Sequence, residues 1–338
     1  MKIRKRNGQT AAYEREKIER VILLAFASVG RAGAQEEAAG LAAGIEKQLE
    51  AQGEELVAVE SIQDLVEASL MVAGHYEAAK SFILYRNERS RARAAREQLL
   101  DHFSNRSALD CTLREIQREF PEEEYTLPQL TARFRSFSKE GQSEEAALGC
   151  LIKAAAELTT RDAPAWEMIA ARFWLLRFRA RLAQHEAEVG ITSLHDKLTH
   201  LTKSGVYGRY ILEHYSKAEI DSFEQMLRPE RDKLFNYSGL ELLHGRYLIR
   251  THAGAVLESP QEMFLGIALH LAMQEEQDRA LWVQRFYDML STLKVTMATP
   301  TLANARKPFH QLSSCFIDTV PDSLEGIYRS IDNFAQTT

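Results

Sequence analysis

Cysteine is scarce in this chain of 338 residues, which contains only three, Cys111, Cys150 and Cys315. They are too few and too scattered to form a disulfide framework. None lies at metal-ligand spacing with another cysteine or a histidine, and the histidines share no i, i+4 pattern, so we expect no metal site. Cys111 and Cys150 fall at helical positions, which predicts buried thiols.

Long apolar runs and an excess of positive charge are also absent. No run approaches the roughly 20 apolar residues that a membrane span needs. The net charge of −6 argues against a general nucleic-acid-binding protein. The basic residues at positions 1–6 are not followed by the apolar core of a signal peptide, which predicts a cytoplasmic protein.

Helical periodicity fills most of the sequence, whose length suggests two or three domains. Ser143 is expected to cap a helix that contains Leu151 and Ile152. Ser259 followed by Pro260 predicts another helix start. The exception is the N-terminus, where Asn7-Gly8 is a strong hairpin signal between two short strands. The hairpin and the first helix bring together Lys5, Arg6 and Lys17, which form either a phosphate site or a solvated basic face.

A second exception lies near the C-terminus. A β-prone run at 293–298 leads to Thr299-Pro300-Thr301, and Cys315 follows between serines and large apolar residues, a pattern suited to the floor of a pocket. From the residues alone, Cys315 is a nucleophile, a redox thiol, a ligand or a buried filler, and no G-x-S-x-G elbow supports a serine hydrolase. Asp322 with Glu325 three residues later predicts a helix cap, which is also a platform for a nucleotide.

The N-terminal motif Ile3-x-Lys5-Arg6-Asn7-Gly8, followed by Tyr13-Glu14-x-x-Lys17-Ile18, resembles the opening of ATP-cone domains, which bind ATP or dATP as allosteric effectors. The resemblance extends to about residue 95. Val59 stands where some members have a threonine that contacts the nucleotide. The resemblance implies that the following residues contact ATP or dATP: Lys5, Arg6, Ala11, Ala12, Tyr13, Glu14, Arg15, Glu16 and Lys17.

Thr299-Pro300-Thr301 combined with Ser313-Ser314-Cys315 resembles the ribonucleotide reductase large subunit. The resemblance implies reduction of ribonucleotides to 2′-deoxyribonucleotides by thiol and radical chemistry. Cys315 would be one of two redox-active cysteines, the other lying beyond residue 338. Thr299 and Ser314 would bind substrate beside Cys315. Asp322, Ser323 and Leu324 would contact the nucleotide that selects the substrate.

The expected fold is mainly α. A small β-hairpin and four helices form the ATP-cone, a helical N-terminal domain follows, and then the first strand of a ten-stranded α/β barrel, which would carry Cys315. The predicted domains are the ATP-cone at 1–95, a degenerate cone-like helical unit without the hairpin signature at 96–190, the helical domain at 191–292 and the truncated start of the barrel at 293–338.

The same resemblance implies the partners. They are a radical-generating small subunit with a di-metal centre, preferred over adenosylcobalamin, a thioredoxin- or glutaredoxin-type reductant, and further copies of the chain in a homodimer or higher oligomer tuned by dATP. We expect no metal bound by this chain and no nucleic-acid or membrane partner. The fragment alone should be inactive, because the radical-bearing cysteine lies beyond residue 338. The alternative is a non-catalytic nucleotide-sensing and oligomerisation module, in which Cys315 is dispensable.

Overall fold

The computed structural model describes residues 1–6, 8–31 and 33–337. The chain divides into two compact units, Met1–Gln98 and the part from Leu99 onward. Along the described residues, no helix has both the length and the apolar character needed to cross a membrane.

The first unit combines a small sheet with four helices. Its elements are β1 (Lys2–Arg4), β2 (Thr10–Ala12), α1 (Arg15–Ser28), α2 (Gln35–Gln52), β3 (Leu56–Ala58), α3 (Val59–Val72) and α4 (Tyr76–Leu100), the last of which ends just past the division between the units. A continuous core joins α1, α2, α3 and α4. The largest completely buried side chains of this core are Phe26, Ile22, Ile45, Leu49 and Leu70.

The predicted hairpin is present, and β1 is its inner strand. β1 pairs antiparallel with β2 in the register Ile3↔Ala11. Gly8 supplies the left-handed conformation of the turn, with φ +80°, which costs a glycine little. Asn7, the other half of the turn signal, lies outside the described residues. The sequence did not reveal β3, which pairs parallel with β1 in the register Ile3↔Val57, so the sheet has the order β2-β1-β3.

The second unit is helical. Its helices are α5 (Arg106–Glu119), α6 (Leu127–Arg135), α7 (Glu144–Glu157), α8 (Trp166–Val189), α9 (Leu194–Lys203), α10 (Arg209–His214), α11 (Lys217–Glu224), α12 (Tyr237–Leu242), α13 (Pro260–Ala272), α14 (Arg279–Ser291), α15 (Thr299–Asn304) and α16 (Leu324–Thr337), with a 3₁₀ turn at Pro229–Leu234 and a π turn at Leu243–Tyr247. Almost every residue of α13 is buried, so this helix is the centre of the unit.

Both predicted helix starts in this unit are confirmed. The Ser143 hydroxyl accepts a hydrogen bond from the Ala146 backbone N–H at 3.3 Å. Ser259 and Glu262 form a reciprocal capping box, and Pro260 is the first residue of α13. Such caps satisfy backbone N–H groups that have no partner within the helix, which is why the sequence signal was reliable.

The mainly α prediction is confirmed, but the predicted barrel strand is not observed. Residues 293–298 contain no strand, and residues 311–323 run without regular structure. A strand needs a neighbour to pair its backbone N–H and C=O groups, and within the described residues no other strand reaches this segment. The four predicted domain boundaries stay predictions.

Both helical cysteines are less buried than their positions predicted. Cys111 on α5 is exposed, and Cys150 on α7 is half-buried, with its thiol 3.5 Å from the Phe137 carbonyl oxygen. The prediction of buried thiols was wrong because a helical position alone does not say which face of a helix is covered. Cys111 lies on the face of α5 opposite its buried residues, and Cys150 lies beside the buried face of α7.

Candidate functional site

The β1–β2 turn presents the cations of the N-terminal motif. The Lys5 N–H donates to the Gln9 carbonyl oxygen at 2.8 Å, and the Gly8 N–H donates to the Lys5 carbonyl oxygen at 3.0 Å. These two bonds fix the backbone around Lys5 and Arg6, both of which are exposed at the edge of the sheet. The turn therefore holds two positive side chains on a short, closed loop.

Arg6 is held by side chains at the start of α3. Its Nε donates to Glu60 Oε1, and its Nη2 donates to Gln63 Oε1 at 2.7 Å. Arg86 of α4 reaches the same carboxylate, with Nη2 3.0 Å from Glu60 Oε2, and also lies 2.6 Å from Asp64. The hydrogen bond from Arg6 is the main cause that lowers the pKa of Glu60 below its usual value. Glu60 is therefore an anion held between two arginines.

A cavity of about 200 Å³ opens beside this cluster, and we call it the cone cavity. Helices α1, α3 and α4 form it together with Arg6. Its walls are partly apolar and partly cationic. The lining residues are Arg6, Val21, Gln63, Phe82, Tyr85, Arg86, Arg89 and Arg93.

Two of the four arginines in the cone cavity have no carboxylate partner among residues 1–6, 8–31 and 33–337. Arg89 lies over the Tyr85 ring at 5.9 Å from its centroid. Burial lowers the pKa of Arg93, and the charges of Arg6 and Arg89 lower it further, while Glu60, which forms ion pairs with Arg6 and Arg86 but none with Arg93, acts in the opposite direction. Unbalanced positive charge next to an apolar wall favours an anion that carries an apolar or aromatic part.

The segment Ala11 to Lys17 joins β2 to α1, and its polar side chains are mostly paired. Lys17 Nζ lies 2.8 Å from Glu14 Oε1, and Arg15 lies 3.4 Å from Glu46. Lys17 is one helical turn before Val21 of the cone cavity, so both lie on one face of α1. Glu16 is exposed in the first turn of α1.

Tyr13 is the polar exception in this segment. Its hydroxyl is buried and has no hydrogen-bond partner among the described residues. Burial raises the pKa of Tyr13 to about 12, and the negative charge of Glu46 adds to this effect. Ala11 and Ala12 pair with β1, which makes their backbone part of the sheet.

Sequence reasoning missed the contribution of α3 and α4 to this site. Of the cavity lining, only Arg6 belongs to the predicted contacts. The signal was present in α4, because Arg86, Arg89 and Arg93 are spaced by three and four residues and therefore share one helical face. The nearness of Gln63 depends on the fold of the sheet and was not readable from spacing.

In the second unit, a buried ion pair fixes the backbone after Thr299. Thr299 is the exposed first residue of α15. Arg306, just after this helix, is completely buried and binds Glu258 through two bonds of 2.6 Å. It also donates to the carbonyl oxygens of Leu302 at 2.7 Å and Tyr247 at 2.8 Å. This bidentate contact anchors the end of α15 to the segment that precedes α13.

Cys315 is exposed, so the prediction that it lies in the floor of a pocket is wrong for the described residues. Every residue from Ser313 to Glu325 is exposed, because no described part of the chain packs over this segment. The Ser314 hydroxyl lies 3.8 Å from the Cys315 thiol. His310 packs against the Tyr210 ring, with 4.5 Å between the ring centroids.

Ser323, rather than Asp322, caps α16. Leu324 is the first residue of α16, so Ser323 is the residue directly before the helix. The Gly326 N–H donates to the Ser323 hydroxyl at 3.0 Å. The predicted cap is therefore displaced by one residue. Gly326 is needed here because a Cβ atom at this position would meet the Pro321 ring at 2.7 Å. Asp322 and Leu324 are exposed next to the cap.

The described residues contain no group of three or more His, Cys, Asp or Glu side chains that could hold a metal ion. The chemistry available is that of arginine-rich anion binding in the first unit and of exposed hydroxyl and thiol groups in the second.

Comparison with known families finds two matches. The ATP cone domain matches residues 1–91, which contain the sheet, α1 to α3, the first part of α4 and all of the cone-cavity lining except Arg93. The all-alpha domain of ribonucleotide reductase matches residues 233–310, which include the Arg306–Glu258 pair.

The curated relatives that match this chain are alpha subunits of ribonucleoside-diphosphate reductases. The ribonucleoside-diphosphate reductase subunit alpha of Treponema pallidum is 53% identical over 343 residues, which cover all of this chain and 40% of that protein. The subunit alpha of Chlamydia pneumoniae is 31% identical over 320 residues, which cover 86% of this chain and 30% of that protein. The ribonucleoside-diphosphate reductase 1 subunit alpha of Escherichia coli is 33% identical over 180 residues, which cover 52% of this chain and 23% of that protein.

The chain thus spans well under half the length of the relatives that it matches. The two domain matches agree with the mostly helical structure and its N-terminal sheet. Together with the similarity over its whole length, they identify the chain as a member of the ribonucleotide reductase large-subunit family, corresponding to the N-terminal part with its ATP cone.

Proposed function

We propose that this chain is the regulatory and substrate-facing N-terminal part of an enzyme that reduces ribonucleoside diphosphates to 2′-deoxyribonucleotides for DNA synthesis. The observation that carries the proposal is the 53% identity to a ribonucleoside-diphosphate reductase subunit alpha over the entire chain. The protein would act in the cytoplasm.

In the first unit, the cone binds ATP or dATP as an allosteric effector. The positive charge of Lys5, Arg6 and Lys17 supports contacts to the phosphates. The backbone from Ala11 to Glu16 lies between these cations, and the buried Tyr13 hydroxyl is a donor that lacks an acceptor. The unpaired Arg89 and Arg93 supply further positive charge to the same site.

Effector binding competes with the internal anion of the cone. Glu60 already occupies Arg6 and Arg86, so a phosphate group that approaches Arg6 must displace this carboxylate. The displacement frees Glu60 in the first turn of α3, which gives the cone two states that differ in one ion pair. A coupling of this kind requires a ligand that favours one of the two states.

In the second unit, Cys315 supplies one of two thiols. The balanced reaction converts a ribonucleotide and two thiols into a 2′-deoxyribonucleotide, one disulfide and water. The second cysteine lies further along the full-length subunit, and a thioredoxin- or glutaredoxin-type dithiol reduces the disulfide again. Thr299 and Ser314 bind the substrate with their hydroxyl groups, and Asp322, Ser323 and Leu324 contact the effector that selects it.

A partner subunit with a di-metal centre, rather than adenosylcobalamin, supplies the radical. Further copies of this chain are the other expected partner, in a homodimer or a higher oligomer tuned by dATP. The exposed apolar face of α16 supports this association, since its large side chains recur every three or four residues. They are Leu324, Ile327, Tyr328, Ile331 and Phe334.

The cone assignment is tested by calorimetric titration of ATP and dATP into the wild-type chain and the Lys17→Ala variant. Lys17 is exposed, and its ion pair among the described residues is with its neighbour Glu14, so the variant should keep its fold and bind both nucleotides about tenfold more weakly. Lys47→Ala, an exposed cation on α2, is the matched control. Equal affinities in the Lys17→Ala variant and the wild type would rule out this phosphate contact.

A second candidate function is a nucleotide-sensing and oligomerisation module without catalysis, which the cone cavity on its own would also serve. The two functions differ at Cys315. In the full-length subunit, Cys315→Ser should abolish multiple turnover with a dithiol reductant and leave effector binding intact. Normal turnover in that variant would remove Cys315 from the mechanism, which leaves this part of the chain the role of a nucleotide-sensing and oligomerisation module.

A further inference from the structure

A second cavity lies entirely within the second unit, and we call it the π-turn cavity. Its volume is about 590 Å³, which is within the range of small-molecule sites. Three chain segments form it: the end of α9 at Gly205, the π turn with the residues up to Arg250, and the segment from Asn304 to Phe309 that follows α15. No predicted site residue lines it.

The charge of the π-turn cavity is positive and unbalanced. Arg246, Arg250 and Lys307 line it, and none of its lining residues is acidic. Across residues 33–337, Arg246 and Lys307 form no ion pair. Burial lowers the pKa of Lys307, and the charge of the neighbouring Arg306 lowers it further, while the Glu258 carboxylate, which is paired with Arg306, acts in the opposite direction. Three cations around one open volume repel one another unless an anion lies between them.

Arg250 is already held in position for such an anion. Its Nη2 donates to the His244 carbonyl oxygen at 2.5 Å, and its Nη1 donates to the Gly254 carbonyl oxygen at 3.2 Å. These acceptors are neutral, so they orient the guanidinium group and leave its charge uncompensated. A guanidinium group fixed in this way loses little rotamer entropy when it binds a phosphate.

The backbone of the cavity is open to a ligand. Gly245 lies inside the π turn, and a Cβ atom at this position would meet no atom within 4 Å. Turns of this kind are rare and often occur at functional sites. Phe309 lines the cavity with a side chain that is 81% exposed, so its ring offers a free flat face. Cations together with an exposed aromatic ring suit a ligand that has both phosphates and a base.

We propose that the π-turn cavity binds a nucleoside di- or triphosphate, with the phosphates on Arg246, Arg250 and Lys307 and the base stacked on Phe309. This site is additional to the cone cavity, since the two are built from residues of different units. Its occupation does not depend on the proposed reductase activity.

The test is a calorimetric titration of ATP into the complete 338-residue chain at low ionic strength. The wild type should bind one molecule in the cone and one in the π-turn cavity, since Asp322, Ser323 and Leu324, which we propose for a further effector, are exposed with no described part of the chain packed over them. The double variant Arg246→Gln/Lys307→Gln should keep the binding event at the cone and lose at least tenfold in affinity at the π-turn cavity. Neither side chain forms an ion pair within the described part of the chain, so the variant should keep the wild-type melting temperature. The matched control is Arg209→Gln, an exposed cation of the same unit that pairs with Glu213, and it should still bind two.

Phe309→Ala tests the position of the base. It should weaken ATP binding at this site about fivefold and leave the binding of inorganic tripolyphosphate unchanged. Wild-type stoichiometry and affinities in the double variant would overturn the proposal, as would an undiminished ATP affinity in Phe309→Ala. A failure of the cone assignment would be recognised separately, because Lys17→Ala should change only the binding of ATP to the cone.

Discussion

Replacing Glu60 by glutamine should strengthen ATP binding to the cone. In the free chain, the Glu60 carboxylate binds Arg6 and Arg86, and the hydrogen bond from Arg6 lowers its pKa. A nucleotide phosphate at Arg6 must replace this carboxylate. Glutamine has almost the same shape but no charge, so it binds the arginines less strongly. A phosphate should therefore displace it more easily than it displaces the carboxylate.

The magnitude follows from the contacts of Glu60 and from its exposure. A hydrogen bond to a charged group contributes about 1.5–3 kcal/mol when it is shielded from water. The Glu60 side chain is 47% exposed, so solvent screening reduces the net contribution to about 1 kcal/mol. We therefore expect the Glu60→Gln variant to bind ATP about fivefold more tightly. The gain should shrink as salt is added, since salt screens exposed pairs.

The assay is isothermal titration calorimetry of ATP at two salt concentrations. Asp64→Asn is the matched control because Asp64 also lies on α3 and contacts Arg86, at 2.6 Å, but has no contact with Arg6. It should change the affinity less than Glu60→Gln does. Weaker binding by Glu60→Gln would refute the reasoning, because it would mean that Glu60 orients Arg6 for the ligand instead of competing with it.

Three further predictions concern pH and the second unit. Because folding lowers the pKa of Glu60, its pairing stabilises the cone above the unfolded pKa of about 4.3 and is lost as pH falls through the lower folded pKa. The difference in melting temperature between wild type and Glu60→Gln should therefore be present at pH 7 and shrink as the pH falls below the unfolded pKa of about 4.3. Arg306→Gln leaves Glu258 buried and unpaired, which should lower the free energy of unfolding by about 3–5 kcal/mol in urea titrations, whereas Glu258→Gln/Arg306→Met should cost less. Cys315→Ser should change that free energy by less than about 0.5 kcal/mol, because the thiol is exposed; a larger loss would mean that the thiol is packed in solution.

Local signals made much of the fold predictable. Ser143 and Ser259 each satisfy free N–H groups within one turn of helix, so their effect is visible in a few residues of sequence. The strand β3 was not predictable in this way. It has three residues, follows the C-cap Gly53 closely and pairs with β1, more than 50 positions away. Long-range pairing of this kind leaves no periodic pattern in either segment.

The candidate site was predictable to a similar extent. The motif around Lys5 and Arg6 predicted the β1–β2 turn that the structure has, because hairpin residues are close both in sequence and in space. The residues that complete the cone cavity come from α3 and α4, which only the packed core brings next to Arg6. The cap of α16 shows the limit of local reasoning: both Asp322 and Ser323 can cap a helix, and the contact between Pro321 and Gly326 belongs to the turn that makes Ser323 the cap.

The segment from Cys315 through α16 has the sequence of a strand and a helix, but no described part of this chain packs over its large apolar side chains. Phe316, Ile317 and Val320 are 62%, 96% and 58% exposed, although large apolar side chains are usually buried. If the full-length subunit pairs this segment with further strands, its backbone N–H groups gain partners and its apolar side chains leave water.

Hydrogen exchange tests this directly. Amides at 315–320 should exchange within seconds in the 338-residue chain and at least a hundredfold more slowly in the full-length subunit, because they would then open only with the fold. Amides of α13, which is buried in this chain, are the internal control and should be protected in both proteins. Equally fast exchange of 315–320 in the full-length subunit would mean that Cys315 lies on a mobile surface, which would argue against its use as a positioned redox thiol.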